Sequence, residues 1–81
     1  MELVREDLEK FNSKLQDFIK DDTIKAITLS KKDLKIICLV RYMYLQNKQD
    51  RGIQYANKLI TQALNKMITN IDSCITMIEN F

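Results

Sequence analysis

The chain has 81 residues, of which 46% are hydrophobic and 30% charged, and its formal net charge is +2. It contains one glycine and no proline, tryptophan or histidine. A sheet protein with several hairpins needs Gly, Pro, Asn and Asp in its turns, so the composition excludes that class and predicts an all-α protein. We expect a single domain, residues 1–81, near the lower size limit for independent folding.

Charge is distributed unevenly along the chain. Residues 1–22 carry seven acidic and four basic side chains, whereas the remainder carries four acidic and nine basic ones. The N-terminal stretch "MELVRED" lacks the apolar region of a secretory signal. The apolar run "IICLV" is far shorter than the ~20 residues of a membrane span. These features predict a cytoplasmic protein in a reducing compartment.

The first predicted helix covers residues 2–20. Its apolar side chains follow one another at spacings of three and four, which places them in one stripe: Val4, Leu8, Phe11, Leu15 and Phe18. Residues 22–29 follow and are rich in β-branched side chains. They suit either a turn of helix or an extended connector, and the sequence does not decide between the two.

The second predicted helix covers residues 30–47. Ser30 has the character of an N-cap, with Asp33 three positions later. The stretch "DLKIICLVRYMYLQ" is apolar around much of the helix circumference, so this helix is expected to lie centrally in a bundle or between protomers.

The polar run "NKQDR" and Gly52 predict a turn with Asp50 as the next cap. Because glycine costs a helix only about 1 kcal/mol, one continuous helix over residues 30–80 is the alternative.

The third predicted helix covers residues 51–80 and shows the most regular pattern. Two heptad series run along it: Ile53, Ile60, Met67, Cys74 and Phe81, and Asn57, Leu64, Ile71 and Ile78. Such a seam is typical of a long bundle helix or a coiled-coil arm. Together the patterns predict a small bundle of three helices that packs into a homo-oligomeric helical bundle.

The sequence offers no candidates for catalysis or metal binding. It has no histidine to act as a general base and no glycine-rich phosphate loop. Cys38 and Cys74 are 36 positions apart, without histidine, which does not fit a zinc site. Both are expected to be small hydrophobic residues of the core. We therefore predict a protein that is not an enzyme and has no cofactor.

Apolar surface beyond what a short chain can cover indicates an interface. The favoured function is a non-enzymatic protein–protein interaction module, such as a small regulator, inhibitor or scaffold. A homodimer is the favoured oligomer, and a protein partner is expected. The candidate interface residues lie on the second and third helices: Tyr42, Met43, Tyr44, Ile68, Ile75 and Met77.

A small basic nucleic-acid-binding protein is the alternative. Its candidate phosphate-binding residues cluster around the start of the second helix: Lys25, Lys31, Lys32 and Lys35.

In size and helical character the chain also resembles the small cytoplasmic immunity proteins that protect bacteriocin producers, which implies a helical bundle. The bias towards Lys, Ile and Asn, with few Arg and Gly, indicates an AT-rich genome such as that of a phage, a virus or a Firmicute.

Overall fold

A computed structural model describes residues 4–78 of the chain. In chain order its elements are helix α1 (Arg5–Lys20), strand β1 (Ala26–Leu29), helix α2 (Lys31–Gln46), helix α3 (Arg51–Thr69) and strand β2 (Cys74–Met77). The described chain is mostly helical, with one small two-stranded sheet. The three predicted helices are confirmed, but the third is shorter than the sequence predicts, and the sheet is an element that the prediction lacks.

Side-chain caps fix the starts of α2 and α3. The Ser30 hydroxyl accepts a hydrogen bond from the Asp33 backbone N–H at 3.1 Å, and the Asp33 carboxylate accepts one from the Ser30 N–H at 2.9 Å. Asp50 caps α3 by accepting from the Ile53 N–H at 3.1 Å. These bonds satisfy backbone donors that a helix leaves unpaired. The chain therefore turns between Gln46 and Arg51, and the single helix over residues 30–80 is wrong.

The prediction that the third helix continues to residue 80 is wrong for the described residues after Thr69. Asn70 ends the helix, and its side-chain oxygen accepts a hydrogen bond from the Asp72 N–H at 3.0 Å. The backbone N–H of Ser73 also donates to the Asn70 carbonyl, at 2.9 Å. Short polar side chains of this kind compete with the helix for backbone groups and favour a turn.

The heptad pattern therefore does not continue as a helix past the turn. Cys74 lies in β2 and Ile78 follows that strand, whereas Phe81 lies outside the described residues. The β-branched residues Ile75 and Thr76 suit an extended strand. The pairing partner of this strand lies far away in the sequence, so the local pattern gives no sign of it.

The sheet is a parallel pair in which Ala26 is opposite Cys74 and Leu29 is opposite Met77. Parallel strands need a long crossover connection, and α2 and α3 together provide it. The stretch that the sequence left undecided, residues 22–29, thus contains a strand. The prediction of a mostly helical protein is confirmed, but the fold is not entirely α, because β1 and β2 pair through their backbones.

The core lies between the three helices and one face of the sheet. α3 packs against both α1 and α2. Ile27 and Leu29 of β1 point into the core, while Ala26 and Thr28 point outwards. The buried apolar side chains are Phe11, Leu15, Phe18, Ile27, Leu29, Ile36, Val40, Ile53, Ala56, Leu59, Ile60 and Ala63.

Neither cysteine belongs to this core, so the prediction that they are core residues is wrong. Both thiols are free and exposed. Cys38 lies on the outer side of α2, because the buried positions Ile36 and Val40 face the opposite way on the helix. Cys74 lies on the outer face of the sheet, opposite Ala26.

The side chain of Lys66, on α3, joins that helix to the C-terminal end of α1. Its ammonium group donates hydrogen bonds to the carbonyl oxygens of Phe18, Asp21 (3.2 Å) and Ile24 (2.8 Å). It also lies 4.4 Å from the centroid of the Phe18 ring. Carbonyls at the end of a helix lack partners within it and carry partial negative charge. One cation therefore satisfies carbonyls from α1 and from the segment that follows it.

Replacing Lys66 with Met removes the charged donor and keeps most of the apolar side chain. We expect the free energy of unfolding to fall by about 1–3 kcal/mol, because three carbonyl oxygens lose their shared donor. Urea denaturation followed by circular dichroism measures this change. Lys58→Met, at a position of the same helix outside its buried stripe, is the matched control. An equal loss in the two variants would contradict the linking role of Lys66.

The carboxylate of Asp33 links α2 to α1. It accepts a hydrogen bond from the Lys14 ammonium at 2.6 Å, and Lys14 also donates to the Thr28 carbonyl at 3.3 Å. Burial alone would raise the pKa of Asp33. The hydrogen bonds from Lys14 and from the Ser30 backbone, with the charge of Lys14, outweigh burial and lower the pKa from its usual value of 3.8.

The lowered pKa predicts how stability depends on pH. Because the carboxyl group is more acidic in the folded chain, its contribution is complete above about pH 5 and is lost as pH falls through the lowered pKa. We expect Asp33→Asn to reduce the free energy of unfolding by about 1–2 kcal/mol at neutral pH. The difference from wild type should shrink in urea titrations at successively lower pH.

Asp50→Asn is the control for this experiment, because asparagine caps a helix as well as aspartate does and Asp50 makes no ion pair within the described chain. It should change stability little at any of these pH values. A difference between wild type and Asp33→Asn that stays constant as pH falls would show that the charge of Asp33 does not stabilise the fold.

Candidate protein-interaction surface

The six predicted interface residues fall into two groups in the structure. Tyr42, Ile68 and Met77 are 62%, 71% and 61% exposed. The other three, Met43, Tyr44 and Ile75, are half-buried and pack against the core. The first group is therefore available to a partner, whereas Met43 and Tyr44 mainly stabilise the monomer.

A small cavity of about 30 Å³ lies at the margin of the core, and buried residues of α1, β1 and α3 form most of its lining. Ile37 of α2, Leu64 of α3 and Ile75 of β2 all line it. Helical neighbours three or four positions away share a face, as do strand residues two apart. Leu34, Ile68 and Met77 therefore extend this apolar region outwards. We call the surface formed by six residues the α2–α3–β2 surface: Leu34, Ile37, Leu64, Ile68, Ile75 and Met77.

The exposure of this surface follows from the way the elements pack. Met77 is opposite Leu29 on the same face of the sheet, yet Leu29 is 3% exposed and Met77 is 61% exposed. The helices cover β1 and leave β2 largely uncovered. Leu64 and Ile68 lie beside the buried stripe of α3 rather than within it, so they line its flank.

The outer face of α2 adjoins this surface and is both apolar and basic. Leu34, Cys38 and Leu39 form a shallow depression between Lys31 and Lys35. Arg41, Tyr42 and Leu45 continue the exposed face towards the end of the helix. Asp33, the acidic residue of α2, is buried. The exposed charges of this helix are therefore all positive.

The four predicted phosphate-binding lysines all reach solvent, but they do not form one cluster. Lys25 precedes β1, whereas Lys31, Lys32 and Lys35 lie beyond its far end on α2. A strand of this length spans about 13 Å. Lys32 is also paired with Asp7, with 3.0 Å between its ammonium nitrogen and the carboxylate. Lys31 and Lys35 remain as neighbours four positions apart on one face.

Among residues 4–78, two carboxyl groups have lowered pKa values, and both serve the fold. Asp33 belongs to the cap of α2. The pKa of Asp21 is lowered by hydrogen bonds from the Thr23 hydroxyl (2.6 Å) and the Thr23 backbone N–H (2.9 Å). This pair closes the turn after α1. Within residues 4–78, no three histidine, cysteine or acidic side chains come together in a way that would hold a metal ion.

Sequence reasoning missed several residues of the exposed apolar region. Leu34, Ile37 and Leu45 lie in the apolar stretch of the second predicted helix, and Leu64 lies in a heptad series of the third. Helical phase alone does not show which side of each helix the core covers. Ile71 is 96% exposed because it lies in the turn after α3. Its exposure depends on where that helix ends, so recognising the turn residues Asn70 and Asp72 would have identified it.

Comparison of the chain with protein-family models, curated proteins and solved structures finds no match. Across the described residues, each helix is too short or too polar to cross a membrane.

Proposed function

We propose that this chain is a non-enzymatic protein–protein interaction module that self-associates through the α2–α3–β2 surface. The observation that carries the proposal is the exposure of Ile68 and Met77 beside Ile37, Leu64 and Ile75, which lie at the margin of the core and line one cavity together with buried residues. Each of the three elements contributes apolar side chains to the same place. Contiguous apolar surface of this kind favours protein association.

The exposed apolar side chains support a second copy as the partner. Ile68 and Met77 are 71% and 61% exposed, and Leu64 beside them is 37% exposed. A standard interface buries ~800 Å² on each partner. A homodimer is the simplest assembly in which one surface covers itself.

A module of this kind acts by occupying a target rather than by chemistry. Dimerisation through the α2–α3–β2 surface leaves the Tyr42 side of α2 open to a second protein. Regulator, inhibitor and scaffold are the roles that fit such an arrangement. The likeness to bacteriocin immunity proteins stays a prediction, and the β1–β2 ladder is not part of the all-helical architecture on which it rested.

Replacing Ile68 with Lys tests the proposed self-association. We expect wild-type protein to elute as a dimer of about twice 9.6 kDa in size-exclusion chromatography with light scattering. The variant should elute as a monomer at the same concentration, because a charge in an apolar interface loses its hydration. Ile68 is already 71% exposed in the monomer, so circular dichroism should show unchanged helicity.

Val4→Lys is the matched control, because it adds the same charge at another exposed apolar position, on the residue that precedes α1. It should leave the dimer intact. A wild-type chain that is monomeric at every accessible concentration would contradict self-association. A dimer that survives Ile68→Lys would place the interface elsewhere.

Nucleic-acid binding is the second candidate function. It is favoured by the pair Lys31 and Lys35 on a helix face without exposed acidic residues. Two adjacent cations on one face suit neighbouring phosphates, and such binding weakens as salt increases. Lys25 is a separate contact in this view, and Lys32 contributes less because Asp7 already pairs with it.

The double variant Lys31→Glu/Lys35→Glu separates this candidate from a merely solvated basic face. If the pair binds phosphate, retention on a phosphate-bearing column should be lost in the variant while circular dichroism stays unchanged. Lys10→Glu/Lys58→Glu makes the same change in net charge on α1 and α3 and is the control. Equal losses in the two double variants would assign retention to net charge alone.

A further inference from the structure

The two strands of the sheet differ in what lies beyond their outer edges. In a parallel ladder, alternate residues direct both backbone groups towards the same neighbouring strand. The N–H groups of Cys74 and Ile78 donate to the carbonyls of Lys25 and Leu29, each at 2.8 Å. This register assigns the backbone groups of Cys74, Thr76 and Ile78 to β1. Those of Ile75 and Met77 therefore point away from β1, along the outer edge of β2.

The outer edge of β1 faces helix α1. The Lys14 ammonium donates to the Thr28 carbonyl at 3.3 Å, and a groove of about 460 Å³ lies between the helix and the strand. Within residues 4–78 no element pairs with the outer edge of β2. Natural proteins protect open edges with charged residues, proline or bulges. The strand Cys74–Met77, with the sequence CITM, contains neither a charged residue nor a proline.

We propose that the outer edge of β2 pairs with β2 of a second copy of the chain, antiparallel and across a two-fold axis. The proposal rests on the proposed function, since it specifies how self-association takes place. Within the strand, Ile75 and Met77 offer the outward backbone groups. The symmetric register in which both residues exchange hydrogen bonds places Ile75 opposite Met77 of the second copy, and Thr76 opposite Thr76 of the second copy.

This register also covers the apolar side chains of Ile75 and Met77. Ile75 and Met77 lie on the face of the sheet that the helices cover. Across the two-fold axis, Ile75 lies beside Met77 of the second copy, and Met77 lies beside Ile75 of the second copy. All four side chains are on that same face of the sheet. Pairing thus covers Met77, brings both α2–α3–β2 surfaces to one seam, and gives a four-stranded sheet with all helices on one side. No like charges face each other, because the strand is uncharged.

The area also favours a second copy over an unrelated extended peptide. A peptide added to four residues of strand would cover little beyond the edge. A second copy also covers Leu64 and Ile68, which are 37% and 71% exposed. An isologous contact needs one self-complementary patch, and an uncharged edge beside an apolar surface meets that requirement.

A disulfide at position 76 tests the register. Residues opposite each other in a non-hydrogen-bonded antiparallel pair have Cα atoms about 4.5 Å apart, which lies within the range for a disulfide. We would prepare Thr76→Cys in a Cys38→Ser/Cys74→Ser background and oxidise it mildly. The paired geometry gives an effective thiol concentration on the order of mM. At about 10 μM protein, we expect about 100-fold more covalent dimer at early times than in the controls below.

Two controls isolate the register. Thr28→Cys in the same background places an exposed cysteine on the same face of the sheet, but on β1, whose outer edge faces helix α1. Cys38→Ser alone keeps the native Cys74, which the proposed register places opposite residue 78 of the second copy. Cys74 should then lie about 13 Å along the strand from its own symmetry mate. Neither control should cross-link efficiently.

Light scattering of each reduced variant shows whether it is a dimer. This separates a failure of the proposed β2 register from a failure of self-association itself. A reduced Thr76→Cys dimer that cross-links on oxidation supports the β2 pairing. A reduced Thr76→Cys dimer that does not cross-link, or equal cross-linking through the native Cys74 in the control, would overturn the register while self-association stands. A wild-type chain that stays monomeric would overturn both proposals. Circular dichroism confirms that each variant is folded.

Discussion

The parallel pairing of β1 with β2 is the constraint on which the rest of the structure depends. It joins residues 26–29 to residues 74–77 and so brings the two ends of the α2–α3 segment together. Closing so long a loop costs conformational entropy, although that cost grows slowly with length. Burial of Ile27 and Leu29 against the helices offsets it. Without this ladder, Ile75 and Met77 would have no fixed position beside Leu64.

Two lysines complete the arrangement from the other side. Lys66 binds carbonyls at the end of α1 and in the segment before β1, and Lys14 joins α1 to the Thr28 carbonyl and to Asp33. The hydrogen bonds of each reach more than one element, so each fixes the place of β1 relative to the helices. Hydrogen bonds to charged groups contribute more than neutral ones. The polar network therefore positions a sheet too small to be stable alone.

Whether a feature could be predicted from the sequence depends on how far apart in the chain its interacting residues lie. The starts of α2 and α3 depend on Ser30, Asp33 and Asp50, whose caps act within three residues, and they were predicted. The end of α3 was not, since Asn70 and Asp72 compete with a heptad pattern that continues beyond them. The pairing of β1 with β2 spans almost fifty positions. For the candidate site, helical phase identified Ile68, but only the fold separates exposed Tyr42 from half-buried Tyr44.

The position of the apolar side chains relative to the open strand edge gives the surface its specificity. An exposed leucine or isoleucine alone attracts many partners weakly, because hydrophobic association has no direction. An open strand edge has direction and register, but few backbone groups over four residues. On β2 the two occur together, since Ile75 and Met77 carry both the outward backbone groups and the inward side chains. In the proposed dimer, a second copy that pairs with the strand edge is held in the register that also covers these side chains, so the two requirements together favour one mode of association.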